Sequence, residues 1–330
     1  MIAVVVVVTA ALTLGFAAAA VTASSRLHVD PVDPDVEQRH VQRAIRRRPG
    51  LRAWVRRHFD RRSAGAVMLL GSLVVLLAVA VIVGLLLRMI DGDRGLAAAD
   101  SSIAEWGAAR ATDGSTRVLE AITQLGARPV VLVALVLAAL YDLRRRGNRD
   151  VLAFVAAVGI GDMVLTNLLK VTVQRDRPDV MQLVGAGGYS FPSGHTSAAA
   201  AAWVAVALLL GRDRSRPVRA VLSFAAVMIA AAVASSRALL GVHWFTDVVA
   251  GLAVGWGWYL LVAIAFGGRR QRLGAPVAAA ADFGGAMPAV PDRGRQADHQ
   301  ARRETRSDKI EVGEPDAAVV LDGAALGRSE

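Results

Sequence analysis

The chain has no cysteine among its 330 residues. That excludes disulfides, zinc–thiolate centres, iron–sulfur clusters and thiol nucleophiles together. Aromatic side chains are scarce at 5%, too few for the stacked platforms that hold single-stranded nucleic acids, and no nucleic-acid partner is expected. Lysine is almost missing. Of 38 cationic side chains only Lys170 and Lys309 are not arginine. There is no glycine-rich nucleotide loop and no internal repeat. What the chain has in excess is apolar residues, 54% against 20% charged, with a formal net charge of +10.

The apolar residues are gathered into runs. A helix needs about 20 of them to cross a bilayer. Residues 1–25, 63–87, 196–211, 220–236 and 248–268 carry no charge, and 151–169 carries only Asp162. A weaker stretch, 123–141, has Arg128 and Pro129 near one end, where an arginine can reach the interface. Backbone groups in lipid must pair within their own segment, so these runs are expected to be helices. The fold class that follows is all-α, a polytopic membrane helix bundle of seven spans. The first run lacks the basic start of a secretory signal peptide and reads as a retained helix.

Alternate loops are basic. Arg43, Arg46, Arg47, Arg48, Arg52, Arg56, Arg57, Arg61 and Arg62 follow the first run. Arg144, Arg145, Arg146 and Arg149 follow the third, Arg212, Arg214, Arg216 and Arg219 the fifth, and Arg269, Arg270 and Arg272 the last. The positive-inside rule places these in the cytoplasm and residues 88–122, 173–195 and 237–247 outside. The expected location is the cell membrane, multi-pass. Residues 26–62, with Pro31, Pro34 and Pro49, read as a solvated charged loop, with a surface helix over 41–62 as the alternative. Residues 269–330 lack periodicity and read as a disordered tail. No feature assigns an oligomeric state.

The polar residues assigned to the outer face form three groups. Lys170 ends an apolar helix and is followed after six residues by Arg177 and Pro178. In a chain that uses arginine almost everywhere, a compact ammonium beside a forked guanidinium offers two different contacts to a phosphoryl group. Pro192, Ser193, Gly194 and His195 directly precede the 196–211 run. Ser193 is expected to cap a helix whose free N–H groups attract an anion, Gly194 to admit a ligand close to the backbone, and His195 to donate a proton. Ser236 and Arg237 are followed by His243 and Asp247. The last two are four apart, so on a helix they share a face, and the acid can orient the imidazole as a nucleophile. Of six histidines, at 28, 40, 58, 195, 243 and 299, only His195 and His243 map to the outer side. The constellation suits a tetrahedral oxyanion. No carboxylate cluster of metal-ligand spacing accompanies it, so no metal and no cofactor is expected. Asp162 lies apart, within a span, and is expected to make a hydrogen bond between helices.

Lys170-x6-Arg177-Pro178, Pro192-Ser193-Gly194-His195 and Ser236-Arg237-x5-His243-x3-Asp247 together resemble the three signature motifs of the type 2 phosphatidic acid phosphatase / vanadium haloperoxidase superfamily, in order and without departure. The resemblance covers about residues 64–268. It implies a six-helix phosphatase core, to which residues 1–63 add one N-terminal transmembrane helix with its arginine-rich loop, and 269–330 a cytoplasmic tail. It implies roles too: Lys170, Arg177, Arg237, Ser193 and Gly194 would bind phosphate. His243 would attack phosphorus and become a phosphohistidine, Asp247 would orient it, and His195 would protonate the leaving group and then activate water. The expected partner is a lipid phosphate or diphosphate, with a polyprenyl diphosphate as first guess. A vanadate-dependent haloperoxidase and a non-catalytic lipid-binding or transport protein are the alternatives.

Overall fold

The computed structural model describes residues 2–24, 61–179, 185 and 187–271, all within one unit, residues 1–281. The expected surface helix over 41–62 and the tail beyond 271 lie, save for residues 61–62, outside the described residues.

Among the described residues there are nine α-helices: α1 (Ile2–Ser24), α2 (Arg61–Asp91), α3 (Asp100–Ala109), α4 (Asp113–Gln124), α5 (Arg128–Arg146), α6 (Asp150–Val173), α7 (Gly194–Gly211), α8 (Arg216–Leu239) and α9 (Phe245–Gln271). Six are long and apolar enough to cross a membrane, and α4 with α5, bent by 44°, makes up to seven. The protein is thus a multi-pass helix bundle of the expected class. α2 exposes Leu69, Leu70, Leu73, Val74, Leu76 and Leu77, an apolar face that only lipid makes favourable.

The weak seventh run is broken for a visible reason. α4 ends at Gln124 and α5 restarts at Arg128 with Pro129 in its first turn, where a missing N–H costs nothing. The carbonyl of Leu125, at the break, accepts from the Trp203 indole at 2.9 Å. Helices α3 and α4, and a 3-10 turn at Ala97–Ala99, occupy what the sequence presented only as an outer loop. Their short patterns fall below the length at which periodicity decides.

α7 lies at the centre, packed on α5, α6, α8 and α9. It can do so because it is rich in alanine: Ala198 to Ala202 and Ala205 are buried, and small residues let helices approach where lipid supplies no hydrophobic drive. Around it Val131, Leu135, Phe154, Val158 and Leu209 form the main core. α1 packs along α8, burying Ala3, Val7 and Ala11 at four-residue spacing, with Phe16 edge-on to Phe224 at 4.9 Å.

The chain order places two chemistries at opposite ends. Asp142 on α5, 1% exposed, receives Arg212 at 2.7 Å and Arg146 at 3.1 Å, while Arg146 reaches Asp213. These arginine loops share one end of the bundle. Lys170, at the close of α6, His195 at the start of α7, Arg237 at the close of α8 and Asp247 at the start of α9 share the other.

Candidate active site

Three turns bring the site residues together. Gln174, left-handed at φ 53°, ends α6 with its N–H on the Lys170 carbonyl at 3.0 Å and sends the chain back across the helix end. Gly241, at φ 70°, makes the reversal between α8 and α9, a backbone form that glycine takes without penalty. The third turn leads into α7 through a cis peptide between Phe191 and Pro192.

A cavity of about 820 Å³ results, lined by Lys170, Arg177, Gly194, His195, Arg237 and His243. Six of the eight residues expected at the site thus face one space. The other two do not line it. Asp247 is fully buried behind His243. Ser193, also fully buried, stands at the N-cap position of α7 but its hydroxyl caps no backbone N–H. It accepts from Thr196 Oγ1 at 3.0 Å instead, while the Ser193 N–H donates to the Asp247 carbonyl at 3.1 Å. The expected side-chain cap is therefore corrected: Ser193 ties the start of α7 to the start of α9.

His243 is corrected in one respect as well. It precedes α9 instead of sharing a helical face with Asp247. The two meet because Asp247 reaches back at the helix start: its Oδ2 accepts the Trp244 N–H at 3.0 Å, the reciprocal half of a capping box. The same Oδ2 lies 3.5 Å from His243 Nδ1, which has no shorter partner. His243 Nε2 is turned the other way, 3.3 Å from Arg177 Nη1. Burial pushes the His243 imidazole down to about 4, against the pull of Asp247 and with the help of Arg237 and Arg177. It is a neutral base at physiological pH. Burial also lowers the Arg177 guanidinium, opposed by Asp247, which leaves it charged.

Two of the cations rest on backbone oxygens. Lys170 Nζ donates to the carbonyls of Tyr189 at 2.5 Å and Ser190 at 3.2 Å. Arg177 donates to those of Val242 at 2.5 Å, Gly187 at 2.8 Å and Gly188 at 2.9 Å. Arg237 reaches Thr123 Oγ1 at 3.5 Å, and its buried Nε has no partner.

Sequence reasoning missed several neighbours. Glu120, Thr123, Gln124 and Asn167 also line the cavity. Arg128, read as a snorkelling residue, lines it too and donates to Asn167 Oδ1 at 2.9 Å. Arg175, inside the first motif but not one of its fixed positions, donates to Asp247 Oδ1 at 2.7 Å. A charged side chain two residues before Arg177 was the available signal. Asp162 is resolved as expected: its carboxylate accepts from Ser197 Oγ at 2.5 Å, joining α6 to α7.

Comparison with known proteins agrees with this geometry. The PAP2 superfamily model matches residues 150–271. The chain is 35% identical to phosphatidylglycerophosphatase B of Bacillus subtilis (strain 168) over 148 residues, 44% of this chain and 72% of that protein. It is 36% identical to a lipid A 1-phosphatase of Rhizobium etli over 114 residues, covering 31% of this chain and 45% of that one. The crystal structure of the PAP2-type phosphatidylglycerolphosphate phosphatase from Bacillus subtilis superposes with a TM-score of 0.51 at 29% identity, over 56% of this chain and 93% of that chain. With its three motif segments folded onto one cavity of a membrane helix bundle, the chain belongs to the PAP2 superfamily.

Proposed function

We propose that the protein is a membrane phosphatase that hydrolyses a lipid phosphate or diphosphate through a phosphohistidine, without a metal, at a site opening away from the cytoplasm. The observation that carries the reading is His243: Nδ1 towards a buried carboxylate, Nε2 into a cavity that four cationic side chains and a second histidine share.

The steps follow from those positions. Lys170, Arg177 and Arg237 hold the phosphoryl oxygens, and the backbone at Gly194, at the start of α7, adds the positive end of a helix. Nε2 of His243 attacks phosphorus in line. The bond to the lipid oxygen breaks, and His195 gives that oxygen a proton. His195 then takes a proton from water, the water oxygen attacks phosphorus, the bond to Nε2 breaks, and inorganic phosphate leaves. Arginine and lysine charge meets the spread negative charge of the transferring group, the task that metal ions serve elsewhere.

The outward site rests on charge. The arginine-rich ends of α5, α7 and α8 lie opposite the cavity, and cytoplasmic loops are the ones enriched in arginine. The relatives act, by their names, on phosphatidylglycerol phosphate and on the 1-phosphate of lipid A. Both are phosphate monoesters on lipids, which supports the substrate class.

The test uses the purified full-length chain in detergent with phosphatidylglycerol phosphate, phosphatidic acid, a lipid A phosphate and a polyprenyl diphosphate. Phosphate release unchanged by EDTA, inhibited by vanadate and lost by about 10³-fold or more in His243→Ala is the expected result. Full activity in His243→Ala would sink the nucleophile assignment, and loss in EDTA the metal-free step. Because the chain has no cysteine, single substitutions Asp113→Cys and Ser215→Cys report sidedness with an impermeant maleimide. Labelling of the first alone from outside intact cells is expected.

A further inference from the structure

Behind His243 lies a second arrangement of charge that the three motifs do not mention. Arg175 is half-buried, in the segment between α6 and α7, and its guanidinium joins two carboxylates from different helices. Nη1 donates to Asp247 Oδ1 at 2.7 Å and Nη2 to Asp100 Oδ2 at 2.8 Å. Nη1 also reaches Thr246 Oγ1 at 2.7 Å. Asp100, at the first turn of α3, is 4% exposed and holds α9 in turn: its Oδ1 accepts the Thr246 N–H at 2.9 Å and its Oδ2 the Thr246 hydroxyl at 2.6 Å. The Arg175 guanidinium stands 5.3 Å over the Trp244 ring, and the Trp244 indole donates to the Asp176 carbonyl at 2.9 Å.

This arrangement decides how Asp247 behaves. One carboxylate oxygen is fixed by Arg175. The other is fixed by the Trp244 N–H and faces His243 at 3.5 Å. A free carboxylate would swing to a shorter contact and draw the imidazole towards its charged form. A carboxylate held on one oxygen by arginine and on the other by a backbone N–H cannot swing, and its pull on the imidazole proton is weakened by the cation beside it. We propose that Arg175, anchored by Asp100, is a positioning residue that fixes the Asp247 carboxylate and balances its charge, so that His243 meets phosphorus as a neutral imidazole. The proposal deepens the phosphatase reading and its kinetic part rests on it. The titratable and charged groups that touch His243 or share its cavity are Asp247 from α9, Arg177 from the segment after α6, Arg237 from α8, His195 from α7, Lys170 from α6, Glu120 from α4 and Arg128 from α5. Of the two acids, Asp247 is the one that draws His243 towards the imidazolium. The charge that faces Asp247 from behind is Arg175.

The sign of the effect follows. Removing the guanidinium leaves the Asp247 charge uncompensated, so the imidazole holds its proton to higher pH and the acid side of the rate profile moves up. Arg175→Met/Asp100→Asn removes the cation and one of its two carboxylates together, so that Asp247 is the one buried acid of the cluster left without its cation. In the full-length chain labelled with ¹⁵N-histidine, with His243→Ala as the assignment, His243 is expected to titrate about one pH unit or more higher in this variant. With phosphatidylglycerol phosphate, kcat falls about tenfold or more while KM stays within about threefold. Arg175→Lys keeps the charge but cannot bridge both acids. It is expected to lower kcat while leaving the titration near wild type. In Arg175→Met/Asp247→Asn the upward shift disappears.

A folded Arg175→Met/Asp100→Asn variant whose His243 titrates as in the parent overturns the charge-balancing role. So does a shift that persists without Asp247. Arg175→Lys with the parent kcat overturns the positioning role. The NMR measurement needs no turnover, so a chain inactive on every lipid phosphate refutes the phosphatase reading and still leaves this one decided.

Discussion

Gly126 lies at the break between α4 and α5, far in sequence from every motif, yet a methyl group there should damage catalysis. A Cβ built at this position would stand 2.6 Å from the His195 carbonyl oxygen, 2.7 Å from Val233 Cγ1 and 3.1 Å from the His195 carbonyl carbon. Carbon atoms pack at about 3.5 Å or more, so the valine contact alone falls short by about 0.8 Å. The valine is fully buried and the other obstacle is backbone, so the strain passes to the first turn of α7, which carries His195. Overpacking of this kind costs about 1–3 kcal/mol of stability, and a displacement of about 1 Å at a reacting group can cost about 100-fold in rate. Gly126→Ala is therefore expected to lower kcat by about 10- to 100-fold, with a smaller rise in KM and a modest drop in unfolding temperature in detergent. Gly114→Ala is the matched control. It lies in α4, where a Cβ meets nothing within 4 Å, and it should leave activity within about twofold while adding helix propensity. Phosphate release from the same lipid phosphate, measured across substrate concentration, decides. A Gly126→Ala enzyme with kcat within about threefold of the parent would refute the claim that this glycine sets the position of His195.

Three further outcomes are expected. His243 must be neutral to attack, and burial holds it near 4. Once the second ionisation of the phosphate, about 6, has been allowed for, the acid side of kcat/KM should show no loss from His243 until pH drops below about 5 towards 4, while any fall towards high pH reports the proton that His195 donates. An acid limb at the ordinary histidine value would refute the shift. Asp162→Leu removes the acceptor of Ser197 between two buried helices and should cost about 1–3 kcal/mol of stability, with Asp162→Asn milder and KM unchanged in both; a KM effect in the asparagine variant would mean that Asp162 touches substrate. Asp142→Ala takes the carboxylate from Arg212 and Arg146 at the far end of the bundle and should cost about 3–5 kcal/mol. Surviving enzyme should retain its kcat, and a selective loss of kcat in folded protein would contradict the separation of the two ends.

The spans and the three motif segments were legible because each rests on a strong local signal. A run of some twenty uncharged residues admits few alternatives in lipid, and Lys170 stands out in a chain of arginines. What could not be read depended on partners distant in sequence. Asp100 and Arg175 are ordinary charged residues until α3 and α9 bring Thr246 and Asp247 beside them. Arg128 offers two reasons to stand at a helix end, and only the α4–α5 bend turns it into the cavity. Ser193 has the composition of a cap, but a buried hydroxyl goes to the nearest donor, and Thr196 is one helical turn away. His243 and Asp247 have helical spacing, but Gly241 starts the helix two residues too late for it to apply.

The division of labour among the cations follows from what each one rests on. Arg175 is paired with two carboxylates. Its charge is spent inside the protein, and an incoming phosphate would meet a cluster of net negative charge. Lys170 and Arg177 rest on carbonyl oxygens, which orient a cation through dipoles but leave its full charge in place. Arg237 keeps an unpartnered Nε. A phosphate can replace the carbonyl contacts of Lys170 and Arg177, and the long hydroxyl contact of Arg237, with stronger charge-assisted ones, whereas at Arg175 it would have to displace an acid. Equal positive charge in one short segment thus does two different things: at 177 it is available to a ligand, and at 175 it shapes the base behind the nucleophile. Exchanging the acceptors would exchange the roles. An acid placed against Arg177, as in Gly187→Asp, where a Cβ meets nothing within 4 Å, should weaken phosphate binding and raise KM while leaving the Asp247–His243 contact intact, and an unchanged KM in that variant would show that paired charge does not decide which arginine binds.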